Sequence, residues 1–416
     1  MEEVIKRTYV QPISVPNPKG QDRLLDISKE CALVYNTAKE TFWSAFEKDV
    51  WLRDFDIQKE MVGKINRVLL GSDSYIASIQ QFSKAVKTWI GCKKEYLKNP
   101  TKFSGEPKPP TKDKESCPIY FKNDSIKHKN GYLLLSLKKG QQPICVKWNI
   151  KVGKPVFAVI SWKRDSGWQL SLVLEFKISE HKLNPDKTLA IDLGVKRIAT
   201  SFDGKQVITY SGKYEESLVR LRNKVNGKTQ SKLSKLKKHS RRYKKIKQAN
   251  RLVVKRIKNK QKDFLHKCSR TIVNQCIRKE IGHIVFGDYG GVHTNTDTGK
   301  NNQSIQQNPD QKLRKYVQDK FEVIGGTCSL VPEYYTSKTC PKCGRRNTPK
   351  NRDYKCKKCK FSYDRDGVGS INIYDRYKNV SVGTKVTKVL DVVGSLTEPI
   401  GWKYNSNRDC LVTALQ

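Results

Sequence analysis

Toward the C-terminal end four cysteines stand in two pairs of identical spacing, and no other stretch limits the possible folds so sharply. Cys340-Pro-Lys-Cys343 and Cys356-Lys-Lys-Cys359 are separated by twelve residues. Two Cys-x2-Cys knuckles joined by a short hairpin let four thiolates close tetrahedrally on one Zn²⁺. The other eight of the twelve cysteines, Cys31, Cys92 and Cys410 among them, show no pairing pattern. A disulfide framework is the competing reading. Nothing in the sequence reads as a secretory signal, however, and thiols in a cytosolic setting stay reduced. Tyr363-Asp364-Arg365-Asp366 follows the second knuckle at once. A small metal-braced ribbon is thus predicted immediately ahead of two acids.

The rest of the composition points to the partner. Among 416 residues, 82 Lys and Arg stand against 40 Asp and Glu, a net charge of +42, far beyond what solubility requires. Such an excess implies a polyanion, and the aromatic content argues against a merely disordered basic tail. No apolar run approaches a membrane span, so a bilayer partner is not expected. Nucleic acid is the expected partner, RNA or DNA, with a ribosomal protein as the plainest alternative. The length accommodates roughly two to four domains. A metal ribbon set against acids then suggests a site where nucleic acid is held and cut.

Patterning divides the chain. A strand is expected at 5–12 and helices at 23–47, 57–68 and 75–97, from apolar residues at helical spacing such as Leu24, Ile27, Cys31, Val34, Tyr35 and Ala38. Residues 99–114, rich in Pro, Lys and Gly, read as a boundary loop. Four strands follow within 131–176. Since the chain starts on a strand and returns to strands, the helices read as an insertion in a β-barrel-like domain.

From residue 188 the pattern changes. Leu189-Ala-Ile-Asp192-Leu-Gly194 is a buried strand ending in an acid, followed by a hairpin over 198–210. A basic helical stretch runs from 215 to about 279, with about twenty Lys or Arg between Lys213 and Lys262 and only Glu215 and Glu216 as acids. Leu218, Leu221, Val225, Leu233, Ile246, Val253 and Ile257 give it a packing face. An antiparallel helical pair with its exposed face along phosphates is predicted. A strand at 284–288, a polar loop at 297–308, a helix at 311–322 and a strand at 327–331 leading into Glu333 complete the series. Strand ending in Asp, hairpin, helix, strand, helix, strand, acid is the order of an RNase H-like fold. Phosphodiester hydrolysis on such a fold uses two Mg²⁺ ions held by three or four carboxylates. Asp192 is the candidate bridging ligand, with a turn-forming Asp ahead of Gly194 as the plainer role. Asp364 and Asp366 are further candidates, or else N-caps of the helix beginning near Gly367.

These residues resemble the TnpB family, RNA-guided nucleases of prokaryotic insertion sequences, related to Fanzor and the compact type V CRISPR effectors. Ala190-Ile-Asp192-Leu-Gly-Val resembles the first RuvC motif, Tyr335-Thr-Ser-Lys-Thr-Cys-Pro-Lys-Cys-Gly344 the zinc-ribbon entrance, and Asp364-Arg-Asp366-Gly-Val-Gly-Ser-Ile-Asn-Ile373 the third RuvC motif. The resemblance implies an α+β multidomain protein. A β-barrel-like wedge domain (1–20 and 110–185) would carry a helical recognition insertion (21–109). An RNase H-like RuvC nuclease domain (186–339 and 361–377) would carry the zinc ribbon (340–360), with a C-terminal tail from 378 to 416. It implies a guide RNA, target double-stranded DNA and their RNA–DNA heteroduplex as partners. It also implies one structural Zn²⁺, two catalytic Mg²⁺ that Mn²⁺ can replace, a monomer, no membrane and a cytoplasmic, nucleoid-associated location (nuclear in a eukaryotic host). Lys237, Lys238, Arg241, Arg242, Lys244, Lys245 and Lys247 are the expected backbone contacts.

One position departs from the family pattern. The second motif usually ends its strand in Glu-Asp, and here the strand reads Ile284-Val-Phe-Gly287-Asp288. Glu333 sits where some relatives carry a relocated glutamate. The expected metal ligands are therefore Asp192, Glu333 and Asp366, with Asp288 and Asp364 accessory, and a solvent-facing loop acid as the alternative for Glu333. A nuclease-dead RNA-guided repressor and a guide-independent transposase accessory protein are the alternative functions.

Overall fold

The computed structural model describes residues 4–13, 18–148, 153–164, 166–178, 181–288, 307–349, 351–382 and 396–413. Most of the polar loop expected at 297–308 lies outside them. The chain forms two compact units that part between Lys177 and Ile178.

In the first unit, strands β1 (Val4–Pro12), β2 (Ile119–Lys122), β6 (Lys154–Lys163) and β7 (Gly167–Lys177) make an antiparallel sheet in the order β1-β7-β6-β2. Strands β3 (Ile126–Lys129), β4 (Tyr132–Leu135) and β5 (Ile144–Lys147) make a second. Strict alternation drives both: Trp168, Leu170, Leu172 and Leu174 are buried along β7, as are Leu133 and Leu135 on β4. No ladder joins the two sheets among the described residues, so this part is a pair of sheets rather than a closed barrel. They share one core with helices α1 (Pro18–Phe46), α2 (Asp54–Glu60) and α3 (Ser72–Lys98).

The helix expected at 57–68 is cut short at Glu60. The Glu30 carboxylate accepts the backbone N–H groups of Val68 and Leu69 at 2.8 and 2.9 Å. A side chain on α1 thus takes donors that a helical turn would have used.

The second unit is built on a seven-stranded mixed sheet. Its strands are β8 (Asn184–Asp192), β9 (Arg197–Phe202), β10 (Val207–Ser211), β11 (Ile281–Asp288), β12 (Thr327–Pro332), β15 (Ile400–Asn405) and β16 (Cys410–Thr413), in the order β12-β11-β8-β9-β10-β15-β16. The short hairpin β13 (Asp353–Lys355) and β14 (Ser362–Asp364) belongs to the ribbon. Residues 400–413, read from sequence as part of a separate tail, add two strands: β15 pairs in parallel with β10, and β16 closes the row.

Helices α5 (Arg241–Lys279) and α6 (Asp310–Glu322) cover one face through Phe264, Ile272, Leu313 and Phe321, packed on Leu189, Ile191, Ile284 and Phe286. Helix α7 (Arg365–Val382) covers the other, where Ile373 packs on Ala190, Val285 and Val331, and Ile371 on Phe202 and Val207. Helix α4 (Lys213–Ser234) runs back along α5, forming the antiparallel pair expected from the basic stretch.

The Tyr210 hydroxyl is wholly buried and donates to Gln275 Oε1 at 2.8 Å, tying β10 to α5. Tyr210→Phe leaves that oxygen without a donor and is expected to cost about 1–3 kcal/mol, read as a lower midpoint in urea unfolding with an unchanged slope.

Candidate active site and metal centre

Three parallel strands, β12, β11 and β8, deliver the acids. In their register Ile191 lies opposite Phe286, and Gly287 opposite Val331. Side chains alternate across a sheet, so Asp192, Gly287, Val331 and Glu333 all look toward α7. Helix α7 brings Asp366 in its first turn. Adjacent strands lie about 4.8 Å apart, and Glu333 is separated from Asp192 by the whole of β11. Gly287 makes the crossing possible. A Cβ there would lie 2.7 Å from Glu333 Oε2 and 2.8 Å from Ile373 Cδ1, so the Glu333 carboxylate occupies the space a side chain at 287 would need. Gly369 does the same for the helix, since a methyl group at 369 would overlap the Asp192 carboxylate.

The electrostatics follow from crowding. Burial first, then the charges of Glu333 and Asp366, push the Asp192 carboxyl well above the usual carboxylate range, with Arg365 opposing. Burial also carries Glu333 up to about 7, assisted by Asp288 and Asp310 and opposed by the hydrogen bond it shares with Asp192. Two carboxylates are both acceptors, so that bond needs a proton or a cation. Glu333 Oε2 is buried with no donor at all. An acceptor-only pair of this kind fits a hard divalent cation.

Asp366 is differently served: Arg352 donates to it, and Arg197 lies 3.6 Å away. Asp364 accepts from the backbone N–H of Asp366 and Gly367 at 3.0 and 2.9 Å, and from Arg197. It caps α7. Asp288 is exposed and points away by alternation, with Arg314 at 3.9 Å. The structure therefore brings Glu333 against Asp192, holds Asp366 near enough for its charge to act on Asp192, gives Asp364 a capping position and leaves Asp288 at the rim. Asp310, buried at the start of α6, was missed from sequence, although a Pro-Asp pair ahead of a helical run marks a helix start.

The four ribbon cysteines place their Sγ atoms within 4.8 Å of one another, Cys340 to Cys359 at 3.6 Å and Cys343 to Cys356 at 3.5 Å. A tetrahedron with Zn–S bonds of about 2.3 Å needs Sγ separations of about 3.8 Å, so the cage fits that ion. Burial raises the Cys356 thiol, but the backbone N–H groups of Cys359 and Lys358 outweigh it and bring it down to about 6. The buried Asn347 donates to Cys356 Sγ at 3.6 Å and to the Tyr354 hydroxyl at 2.9 Å. Nothing in the spacing announced that residue. Lys237, Lys238, Arg241, Arg242, Lys244, Lys245 and Lys247 are all exposed, at the turn between α4 and α5 and on the first turns of α5.

Comparison with known proteins bears on this geometry. Residues 171–292 match the OrfB_IS605 family, described as "Probable transposase". Residues 311–373, spanning α6, Glu333, the ribbon and the start of α7, match the "Cas12f1-like, TNB domain" family. A TnpB-like protein of Methanocaldococcus jannaschii is 25% identical over 56% of this chain and 80% of its own length. A Streptomyces pristinaespiralis protein, provisionally named an RNA-guided DNA endonuclease, is 27% identical over 65% of each chain. The matched region thus falls just short of two thirds of that relative. The protein in the cryo-EM structure of a Cas12f1–sgRNA–target DNA complex superposes with a TM-score of 0.60 at 14% identity, over 86% of this chain and 83% of that one. The chain has a Cas12f-like α+β fold with a TNB domain and a four-cysteine cluster. Its resemblance is to the TnpB family, the transposon-borne relatives of those effectors.

Two expectations follow. The purified protein should carry one zinc per chain by elemental analysis, lost in Cys340→Ser or Cys359→Ser together with stability of the C-terminal region. The crowded carboxylates set a pH dependence. With its pKa raised from 4.5 to about 7 in the fold, Glu333 contributes stability that is fully present below the unfolded value and lost as pH rises through the folded one. Without added divalent ion, Glu333→Gln should therefore melt higher than wild type at pH 8 and alike near pH 4. Mg²⁺ should raise the wild-type melting temperature more than that of the variant. Identical melting curves at pH 8 would mean that burial does not hold the Glu333 carboxyl above its ordinary range.

Proposed function

We propose that this chain is an RNA-guided DNA endonuclease, cutting by metal-dependent phosphodiester hydrolysis in a RuvC-type, RNase H-like domain. The observation that carries the reading is the Glu333 carboxylate lying over Gly287 against Asp192. The family's usual acid is missing from the β11 strand end, yet its volume is filled by a carboxylate from the next strand over.

Asp192, Glu333 and Asp366 would hold two Mg²⁺, which supply a nucleophilic water at neutral pH and charge stabilisation at the phosphate. The protein's own part is positioning. Glu333 and Asp192 present a buried, acceptor-only face. Asp364 fixes the first turn of α7 and so orients Asp366. Arg197 and Arg352 sit where they balance Asp366 and can meet a phosphate oxygen. The exposed cations at the α4–α5 turn suit guide-RNA phosphates. Sequence choice would then lie in base pairing, with the protein reading duplex shape and a short adjacent motif. The net charge of +42 is in keeping with holding a structured RNA together with a heteroduplex.

Expression with flanking DNA, followed by sequencing of copurified RNA, identifies the guide and allows a guided cleavage assay. Asp192→Ala, Glu333→Gln and Asp366→Ala should abolish Mg²⁺-dependent cutting while guide and target binding persist, and Asp288→Ala should be mild. Gly287→Ala should displace the Glu333 carboxylate and slow cutting on the order of a hundredfold, the scale on which misplaced groups act. Wild-type cutting by Glu333→Gln with a dead Asp288→Ala would return the ligand to β11. A wild type that binds guide and target but never cuts would make the protein an RNA-guided repressor.

A further inference from the structure

Immediately after Glu333 the chain exposes two aromatic rings. Tyr334 is 65% and Tyr335 48% accessible, a large apolar area to leave in water beside a buried carboxylate. Neither ring is loose. Arg376 lies over the Tyr334 ring at 4.4 Å and donates to the Tyr334 carbonyl at 3.1 Å. Arg346, from the first zinc knuckle, lies over the Tyr335 ring at 4.1 Å, with Lys338 at 6.0 Å. The rings meet edge to face, 6.2 Å between centroids at 86°.

The backbone beneath them is pinned as well. Tyr335 has φ of 62°, a conformation that costs an aromatic residue on the order of 1 kcal/mol or more. Thr336 and Thr339 donate their hydroxyls to the carbonyls of Glu333 and Tyr335, each at 2.9 Å. Asn372 on α7 donates to the carbonyls of Thr336 and Thr339 at 2.6 and 2.8 Å. An uncommon turn is therefore held in place, and its result is a pair of fixed, outward rings.

We infer that Tyr334 and Tyr335 form a stacking platform for unpaired bases of the DNA strand entering the cleavage site. The inference rests on the proposed nuclease reading and adds to it two residues that position the strand. An exposed ring flanked by guanidinium groups offers a π-face and nearby phosphate partners, the combination that binds single strands without sequence preference. Bases in a duplex already stack on their neighbours and have no free face. Because Tyr334 adjoins Glu333 in the chain, a base stacked on it belongs to a nucleotide close to the scissile phosphate. Tyr334 and Tyr335 are positioning residues. They hold the strand and leave hydrolysis to the carboxylates.

The test uses the full-length protein in Ca²⁺, without cutting, and a single-stranded deoxyoligonucleotide carrying one 5-bromodeoxyuridine. Near-ultraviolet light should crosslink the base to the peptide containing Tyr334 and Tyr335, identified by mass spectrometry. At raised salt, which suppresses phosphate contacts, Tyr334→Ala with Tyr335→Ala should weaken binding roughly tenfold. The double Phe variant should bind like wild type, and the double Leu variant, which keeps bulk, should behave like Ala. Zinc content checks that each variant is folded. Crosslinks confined to other peptides in the wild type would overturn the platform, as would unchanged affinity of folded Ala and Leu variants. A ribo-oligonucleotide crosslinking there when the deoxy form does not would overturn the choice of DNA. Crosslinking by a wild type that cuts no guided target would leave the platform standing and bring down the nuclease reading. Guided cutting without the crosslink would do the reverse.

Discussion

Like charges held close together are the constraint from which the second unit is organised. Asp192 and Glu333 crowd together where β8, β11 and β12 end, with the charge of Asp366 acting on Asp192 from the start of α7, and such repulsion grows as water is excluded. The sheet can hold them because both faces of its central strands are covered, by α5 and α6 on one side and α7 on the other. Compensation is uneven. Asp366 has two arginines and the positive end of a helix, whereas Asp192 has the charge of Arg365 set against burial and two neighbouring acids, and Glu333 Oε2 is buried with no donor. The deficit of positive charge therefore lies at the Asp192–Glu333 pair, between β8 and the end of β12.

The ribbon is part of the same arrangement. Tyr354, Cys340 and Cys356 pack against Val368 of α7, and Arg352 from the ribbon reaches Asp366. Asn372, one turn further along α7, takes two carbonyls of the turn that connects Glu333 to the first knuckle. A four-cysteine ribbon with almost no core of its own thus fixes both the turn carrying one acid and the helix carrying another. Position 340–360 in the chain looks like an insertion. Mechanically it is a bracket between two acids.

What could be read from sequence depended on whether the cause was local. Four cysteines at a fixed spacing specify their cage whatever surrounds them, and an apolar strand ending in Asp192 identifies itself by pattern. The basic helical pair was legible for the same reason. Other features turn on contacts between distant residues. Glu30 holds the amides of Val68 and Leu69, nearly forty residues away in sequence, in a non-helical segment. The first unit's strands show the alternation of any antiparallel structure, and nothing in it distinguishes two sheets from one barrel. Glu333 arrives from the strand beside β11, and the glycine that departs from the family pattern is what lets it through to Asp192.

The parallel pairing of β15 with β10 joins Ile208 to Ile400, across nearly two hundred residues. Every acid of the cluster and all four cysteines lie before that late strand. A chain ended after α7 would keep the whole chemical inventory and still lack the neighbour that covers β10. Its unpaired N–H and C=O groups would then form a raw edge in the middle of a twisted sheet, a template for pairing with other chains. During synthesis the same edge stays open until residues 400–413 arrive, and such long-range pairing forms slowly. The late strands thus move the open edge from β10 to the four-residue β16, a shorter template for unwanted pairing.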